Sequence, residues 1–496
     1  MVFGSLLYLT VFLPPVLLGH WALQAFAGRW PRAATAAANL WLLAASLVAC
    51  ALSDLPGLPW FLGCAVATDL LARGIAAAGA RRPRLRKALL ALALGGNLAL
   101  LGFFKYAGVL ARWIDALAGS PLVPVPELAV PLGVSFWVFR AMSYAWDVER
   151  GVHPPAKNPL DFLCFLALFP VFVSGPIVRW ADVSGSFRER PFSAARAASG
   201  YRRLLVGLAK KVLVANQLAP MADAVWALAD EGGGMSPSMA ALGAAAYSLQ
   251  LYFDFSGYSD MAIGLGRLLG FDFKENFLWP CASASIREFW RRWHVSLSTW
   301  FRDYLYIPLG GSRRGTARAC LNGLVVFGLC GVWHGTGWMF ALWGLWHGLL
   351  LCLERLFGPK RAKGEPPPRR PAAVAAFRFA AAHLYALAAI VFGWILFRSA
   401  TPAAAGVVLR SLAGAAGVSP ASRALWLECT PLFEAAFAAG AVLSFPVVPA
   451  LRRAARRVLP EGLVWTLESL AATALGAAAL LFLAAGTHRS FLYFQF

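Results

Sequence analysis

Ser285-Ile-Arg-Glu-Phe-Trp-Arg-Arg-Trp-His294-Val-Ser-Leu-Ser298 opens a stretch that continues through Arg302-Asp303-Tyr304-Leu305-Tyr306-Ile307-Pro308-Leu309-Gly310-Gly311. An apolar run follows, broken first by Trp333-His334-Gly335 and then by Trp346-His347-Gly348. Three of the chain's seven histidines fall within it. A basic, aromatic segment thus leads directly into residues apolar enough for lipid, and the rest of the chain must explain that junction.

Composition points to a polytopic membrane protein. Of 496 residues, 59% are hydrophobic and only 14% charged, with a mean hydropathy of +0.62. Runs of about 18 apolar residues suffice to span a bilayer as helices. They occur at 3–27, 34–52, 57–78, 86–109, 128–148, 159–178, 203–229 and 237–270, and beyond the opening stretch at 373–398, 431–450 and 462–486. The first is read as a spanning helix rather than a signal peptide, because no Lys or Arg precedes Leu6–Leu18.

The net charge of +21 sits in short blocks between apolar runs, at 81–87, 287–318, 360–370 and 452–457. That is the pattern of cytoplasmic loops under the positive-inside rule, not of a nucleic-acid-binding face. The eight cysteines include no Cys-x-x-Cys, so neither a metal knuckle nor a disulfide framework is expected.

Some predicted spans carry polar groups, at roughly 2.5–3.5 kcal/mol each on insertion scales. Asp69 and Arg73 lie four apart, on one helix face. Lys105 follows Phe103-Phe104. Such groups pair, snorkel or face the bundle interior. The runs 131–147 and 169–179 hold more polar and small residues, Gly and Pro among them, than lipid contact needs, which serves close packing or the lining of a cavity. Asp254 and Asp260 fall in one short segment, which fits an interior hydrogen-bond network or acid/base chemistry.

Residues 285–302 read as one amphipathic helix. At about 100° per residue, Ile286, Phe289, Trp293, Leu297 and Trp300 share a face. Arg287, Arg291, His294, Ser298 and Arg302 fall opposite. Ser285-x-x-Glu288 is a capping box. The cationic stripe suits anionic lipid headgroups or the phosphates of a cytosolic substrate such as a coenzyme thioester. Cys320 to Leu351 joins two basic blocks, so an even number of crossings or a re-entrant segment is expected. The break falls near Gly331, Gly335 and Gly337, which puts His334 on an interrupted helix near mid-depth. A metal site from His294, His334 and His347 is not expected: the spacings are not ligand-like and no carboxylate completes a set.

Trp290-Arg-Arg-Trp-His294-Val-Ser-Leu-Ser298-Thr-Trp-Phe-Arg-Asp303-Tyr-Leu-Tyr-Ile-Pro-Leu-Gly-Gly311 resembles the signature of the membrane-bound O-acyltransferase family, in its bacterial, alginate O-acetylation branch. Gly331-Val-Trp-His334-Gly335 resembles that family's second histidine motif, and Leu342-Trp-Gly-Leu-Trp-His347-Gly348 its continuation. Supporting matches are Phe103-Phe-Lys-Tyr106, Pro131-Leu-Gly-Val-Ser-Phe136, Ser174-Gly-Pro-Ile-Val-Arg179, Leu251-Tyr-Phe-Asp-Phe-Ser-Gly-Tyr-Ser-Asp260 and Tyr493-Phe-Gln-Phe496.

The resemblance implies an all-α multi-helix bundle with a central funnel or tunnel and interrupted or re-entrant helices. It implies one integral membrane O-acyltransferase domain over 1–496, with a core at about 90–356 and additional helices over 1–89 and 371–496. His334 takes the place of the family's catalytic histidine and His294 the other position of the pair. Arg287, Arg291, Ser298, Trp333, Asp303 and Asp254 are the substrate-binding candidates. The expected activity is transfer of acetyl from cytosolic acetyl-CoA, with no permanently bound cofactor, for O-acetylation of an exopolysaccharide. The implied partners are a periplasmic SGNH-hydrolase-like acetyltransferase and polysaccharide synthesis and export proteins, at a bacterial inner membrane. Arg140 and Val171 depart from the family, standing where glutamine is expected, which leaves the acceptor or handover partner open. Two alternatives remain: D-alanyl or other acyl transfer to teichoic acid, peptidoglycan or lipid, and secondary transport at the interrupted helix.

Overall fold

The computed structural model describes residues 3–122, 129–358, 371–486 and 491–492. The basic loop over 360–370 and the closing motif at 493–496 lie outside the described residues. Among those described, every regular element is helical. Nine helices are long and apolar enough to cross a membrane: Tyr8–Gly28, Pro31–Ser53, Leu58–Ala78, Pro83–Ala118, Ala194–Asp230, Gly315–His334, Trp338–Phe357, Ala373–Arg398 and Glu461–Ala484. The chain is therefore an all-α, multi-pass membrane protein.

Residues 237–270 form the helix Pro237–Leu268, outside that set of nine, and three expected spans take another form. Residues 128–148 supply the 16-residue helix Val134–Glu149. Residues 159–178 supply only Pro159–Ala167, followed by a short 3-10 turn at Phe169–Val171. Pro170, Gly175 at φ 94° and Pro176 prevent one helix from running through. The run 431–450 stops at Leu443, and Pro431–Leu443 is bent by 75° from Pro420–Glu428. A separate helix, Val447–Val458, then carries the arginines of the 452–457 block. Ser444-Phe445-Pro446 is the break, because the proline ring excludes the helical conformation from the residue before it.

The chain forms two compact units. The first comprises Met1–Leu208, Tyr258–Glu275 and Ala472–Gln495. Its intramembrane polar groups are tied to each other. Arg73 Nε donates to Asp69 at 2.7 Å, and Arg73 Nη2 reaches the Ala156 carbonyl at 2.8 Å. Asn39 donates to Asp161 and to the Phe187 carbonyl. The 131–136 and 169–179 runs pack together, since a Cβ on Gly133 would meet the Phe172 oxygen at 2.4 Å. Arg140 is fully buried and donates to the carbonyls of Phe165, Leu166 and Val171. It thereby satisfies backbone groups that the broken helix leaves open.

The second unit comprises Ala209–Gly257 and Asn276–Ala471. Here the helix of Ala194–Asp230 widens into a π segment at Lys210–Ala215, and Lys211 is ion-paired with Asp254. Asp260, in the first unit, pairs instead with Arg203 at 2.7 Å. The two carboxylates are thus spent in separate buried ion pairs and form no acid/base couple.

Candidate active site

The predicted helix over 285–302 is two helices, Ile286–Arg292 and Val295–Phe301. His294 stands between them with φ 43° and ψ 54°, in the left-handed region. The apolar face is as expected: Ile286, Phe289, Trp293, Leu297 and Trp300 are all buried. The start is also as expected, with Ser285 Oγ accepting from Glu288 N at 3.1 Å. The Glu288 carboxylate reaches back to Ala284 N at 3.0 Å.

His294 departs from the expectation, because it lies in the interior at 0% exposure rather than on the cationic stripe. The preceding extended segment causes the turn. Leu278 N donates to Arg292 O at 2.9 Å and Val295 N donates to Asn276 O at 3.0 Å, lacing the break on both sides. Asn276 Oδ1 accepts from Ser296 N at 3.1 Å and Ser296 Oγ at 2.9 Å, and lies 3.2 Å from His294 Nδ1. An amide oxygen only accepts, so Nδ1 carries the proton and Nε2 the lone pair. Burial pulls the imidazole pKa down to about 3, so the ring is neutral.

The break at Gly335–Gly337 falls where the sequence places it, but the helices on either side are longer than expected. Gly315–His334 and Trp338–Phe357 each have 20 residues, about 30 Å at 1.5 Å per residue. The turn therefore joins two full-length helices, and His334 ends the first of them rather than sitting between half-spans. The hairpin is packed backbone to backbone. A Cβ on Gly344 would meet the Phe327 oxygen at 2.1 Å, and one on Gly331 the Phe340 oxygen at 2.2 Å. His334 is 5% exposed. Its ring meets those of Trp333 at 4.7 Å, Trp343 at 5.0 Å and Phe397 at 5.3 Å between centroids.

A cavity of about 600 Å³ opens beside this hairpin, within the size range of small-molecule sites. Arg287, Arg291, Arg302 and Arg355 line it, with Ser298 and Ser312. Val326, Phe327, Cys330 and Leu351 give it an apolar wall. Arg302 is paired with Asp303 at 2.7 Å and Arg355 donates to Ser312 at 2.9 Å. Arg287 and Arg291, four residues apart, have no carboxylate within ion-pair distance among the described residues. Cys330 lies one helical turn before His334, about 6 Å along the axis.

Neither His294 nor His334 lines this cavity. An aromatic series links them instead. His294 neighbours Phe277 at 6.5 Å, Phe277 packs on Trp293 at 5.0 Å, and Trp293 on Trp394 at 4.9 Å. Trp394 stacks on Trp343 at 5.9 Å, and Trp343 meets His334. His347 is fully buried in the same cluster, against Trp290 and Trp343 at 5.3 Å each.

Of the substrate-binding candidates, Arg287, Arg291 and Ser298 line the cavity, and Trp333 packs on His334. Asp303 acts through Arg302, and Asp254 is bound to Lys211 away from the lining. Sequence reasoning missed Asn276, Trp343, Arg355 and Glu354. The Glu354 carboxylate accepts from Ile286 N at 2.6 Å and Arg287 N at 3.0 Å, anchoring the first arginine helix to the hairpin. Its signal was a carboxylate in the last turn of a long helix, where the dipole disfavours it unless another helix start is near.

Residues 147–394 match the family model described as MBOAT, membrane-bound O-acyltransferase family. The chain is 40% identical over 403 residues to a protein of Azotobacter vinelandii named "Probable alginate O-acetylase AlgI", covering 80% of this chain and 75% of that one. The protein of that name from Pseudomonas aeruginosa is 41% identical over 403 residues, with 80% and 72% covered. The Helicobacter pylori protein named "Peptidoglycan O-acetyltransferase" is 31% identical over 450 residues, with 84% and 81% covered.

Proposed function

The chain belongs to the membrane-bound O-acyltransferase family, and from that premise we propose that this membrane O-acyltransferase moves acetyl from acetyl-CoA to a hydroxyl on the way to a cell-surface polysaccharide. One observation carries the reading: an arginine-lined cavity whose apolar wall ends one helical turn from His334.

The donor's phosphates sit against Arg287, Arg291, Arg302 and Arg355, where guanidinium groups offer planar, paired donors. Its pantetheine arm lies along Val326, Phe327 and Leu351, and the thioester reaches the Cys330 end. His334, as general base, takes the proton of the acceptor hydroxyl. The hydroxyl oxygen attacks the thioester carbonyl carbon, the C–S bond breaks, and the departing thiolate collects the proton from the imidazolium. His294 holds the Val295–Phe301 helix, which leads into Arg302, in place and touches neither reactant. The relatives' names, alginate O-acetylase and peptidoglycan O-acetyltransferase, speak for a sugar polymer as final acceptor; a periplasmic SGNH-hydrolase-like partner, implied by the family resemblance, would complete the transfer. Basic blocks between the spans favour a bacterial cytoplasmic membrane with the arginine cavity on its cytosolic side.

The test is turnover of labelled acetyl-CoA by the full-length protein in vesicles. His334→Ala is expected to lower acetyl transfer by about 10²–10⁴-fold while a labelled CoA analogue still binds. Arg287→Gln with Arg291→Gln is expected to raise the KM for acetyl-CoA about tenfold or more. Turnover of a D-alanyl thioester but not of acetyl-CoA would sink the acetyl reading and leave the family activity standing.

A further inference from the structure

A second cationic pocket lies in the first unit, and the acyl-transfer reading makes no use of it. Arg190 is 3% exposed, and its Nε and Nη2 have no hydrogen-bond partner among the described residues. Its Nη1 donates to the Ser186 carbonyl at 3.2 Å, and its guanidinium lies 4.4 Å over the Phe271 ring. His20 and Gln24 share the pocket and are nearly as deeply buried. The His20 Nδ1 and both polar atoms of the Gln24 amide are likewise unpartnered. Arg196 and Arg267 complete the wall.

The neighbouring carboxylates offset this charge only in part. Asp272 lies 3.5 Å from Arg196, and Glu275 lies 3.9 Å from Arg267 but 2.5 Å from Arg203, which holds it. Asp161 accepts from Asn39 and acts on Arg190 only at longer range, forming no contact ion pair with it among the described residues. A buried guanidinium whose Nε and Nη2 meet no acceptor carries a desolvation penalty. The interior volume is about 10 Å³, room for one atom of water size.

The rim is aromatic. Phe192 is more than half exposed and meets the Trp21 ring edge-on at 6.4 Å. The Trp21 indole donates to the Leu268 carbonyl at 3.0 Å. Amphipathic aromatics beside cations mark the headgroup level of a bilayer.

We propose that His20, Gln24, Arg190, Arg196 and Arg267 bind a phosphate group, one oxygen of which enters the pocket to meet Arg190 Nε and Nη2. The phosphate comes from an anionic phospholipid headgroup or from free phosphate, and the two sources separate by experiment. The full-length protein, stripped of lipid in neutral detergent, is melted while short-chain phosphatidylglycerol, inorganic phosphate or dioctanoylglycerol is titrated in. Phosphatidylglycerol is expected to raise the Tm saturably, and dioctanoylglycerol, which lacks the phosphate, to leave it unchanged. Gln24→Leu and the half-exposed Arg196→Gln are each expected to weaken the apparent affinity about tenfold, the scale of one charge-assisted contact. Arg423→Gln, an exposed arginine of the other unit, leaves it intact. The same saturable shift with inorganic phosphate assigns the site to free phosphate; a shift with phosphatidylglycerol alone assigns it to lipid. No shift with either, or a shift that both pocket variants retain, overturns the proposal and leaves a structural water only.

Discussion

Asn276 Oδ1 lies 3.2 Å from His294 Nδ1 and fixes both the tautomer and the backbone reversal of a histidine outside the lining of the arginine cavity. The imidazole serves the geometry of the Val295–Phe301 helix, from which Leu297, Ser298 and Phe301 face the arginine cavity. Replacing Asn276 with Ala orphans the His294 and Ser296 donors, about 1–3 kcal/mol each when buried. The expected result is a raised donor KM with a smaller change in kcat. His294→Asn, which tolerates the left-handed backbone, should retain more donor affinity than His294→Ala. Equal loss in the two variants would show that the imidazole itself is required.

Burial of His294 also couples stability to pH. Its folded pKa is about 3, against about 6.5 when unfolded. Between those values the unfolded chain binds a proton that the folded chain refuses, so stability falls as pH drops below about 6.5, by up to about 1.4 kcal/mol per pH unit. Melting curves from pH 7 to 5 should converge for wild type and His294→Asn as the pH falls. Parallel curves would show that His294 contributes nothing to the acid sensitivity.

Asp254 should behave as a structural residue. Asp254→Asn removes the carboxylate charge paired with the buried Lys211 ammonium, a loss of about 3–5 kcal/mol. The readout is a lower Tm with an unchanged donor KM in the surviving folded protein. A raised KM at an unchanged Tm would restore the substrate-binding role that the sequence suggested.

The hairpin that ends at His334 depends on glycine for contact. A methyl at Gly344 meets the Phe327 carbonyl oxygen at 2.1 Å, so Gly344→Ala must push the two helices apart. Overpacking of this kind costs about 1–3 kcal/mol and moves His334 relative to the Cys330 end of the cavity. Loss of acyl transfer is expected in Gly344→Ala. Gly462→Ala, where the added methyl meets nothing within 4 Å, should be silent; equal loss in both would point to a general effect of helical alanine.

Much of the fold could be read from local pattern. The capping box at Ser285, the break at Gly335–Gly337 and most span limits follow from residue type and spacing. The turn at His294 could not, because a helical wheel treats 285–302 as continuous. What interrupts it is a tertiary event, the lacing of Asn276 and Leu278 to the chain on either side. The same limit hid the fate of Asp254, whose partner lies 43 residues away on a π segment. Arg287, Arg291 and Ser298 were legible as cavity residues because their stripe is local. Arg355 and Trp343 were not, because only the hairpin's return brings them near.

Arg140 bears on how the first unit accommodates a broken helix. The guanidinium is wholly enclosed and answers the carbonyls of Phe165, Leu166 and Val171, where Pro159–Ala167 gives out. A glutamine in its place would offer two amide hydrogens where guanidinium offers five, and water would have to make up the difference. Water threaded through a membrane protein conducts protons. By answering non-helical backbone with a fixed side chain, Arg140 lets the unit carry a broken helix without calling on water to satisfy those carbonyls.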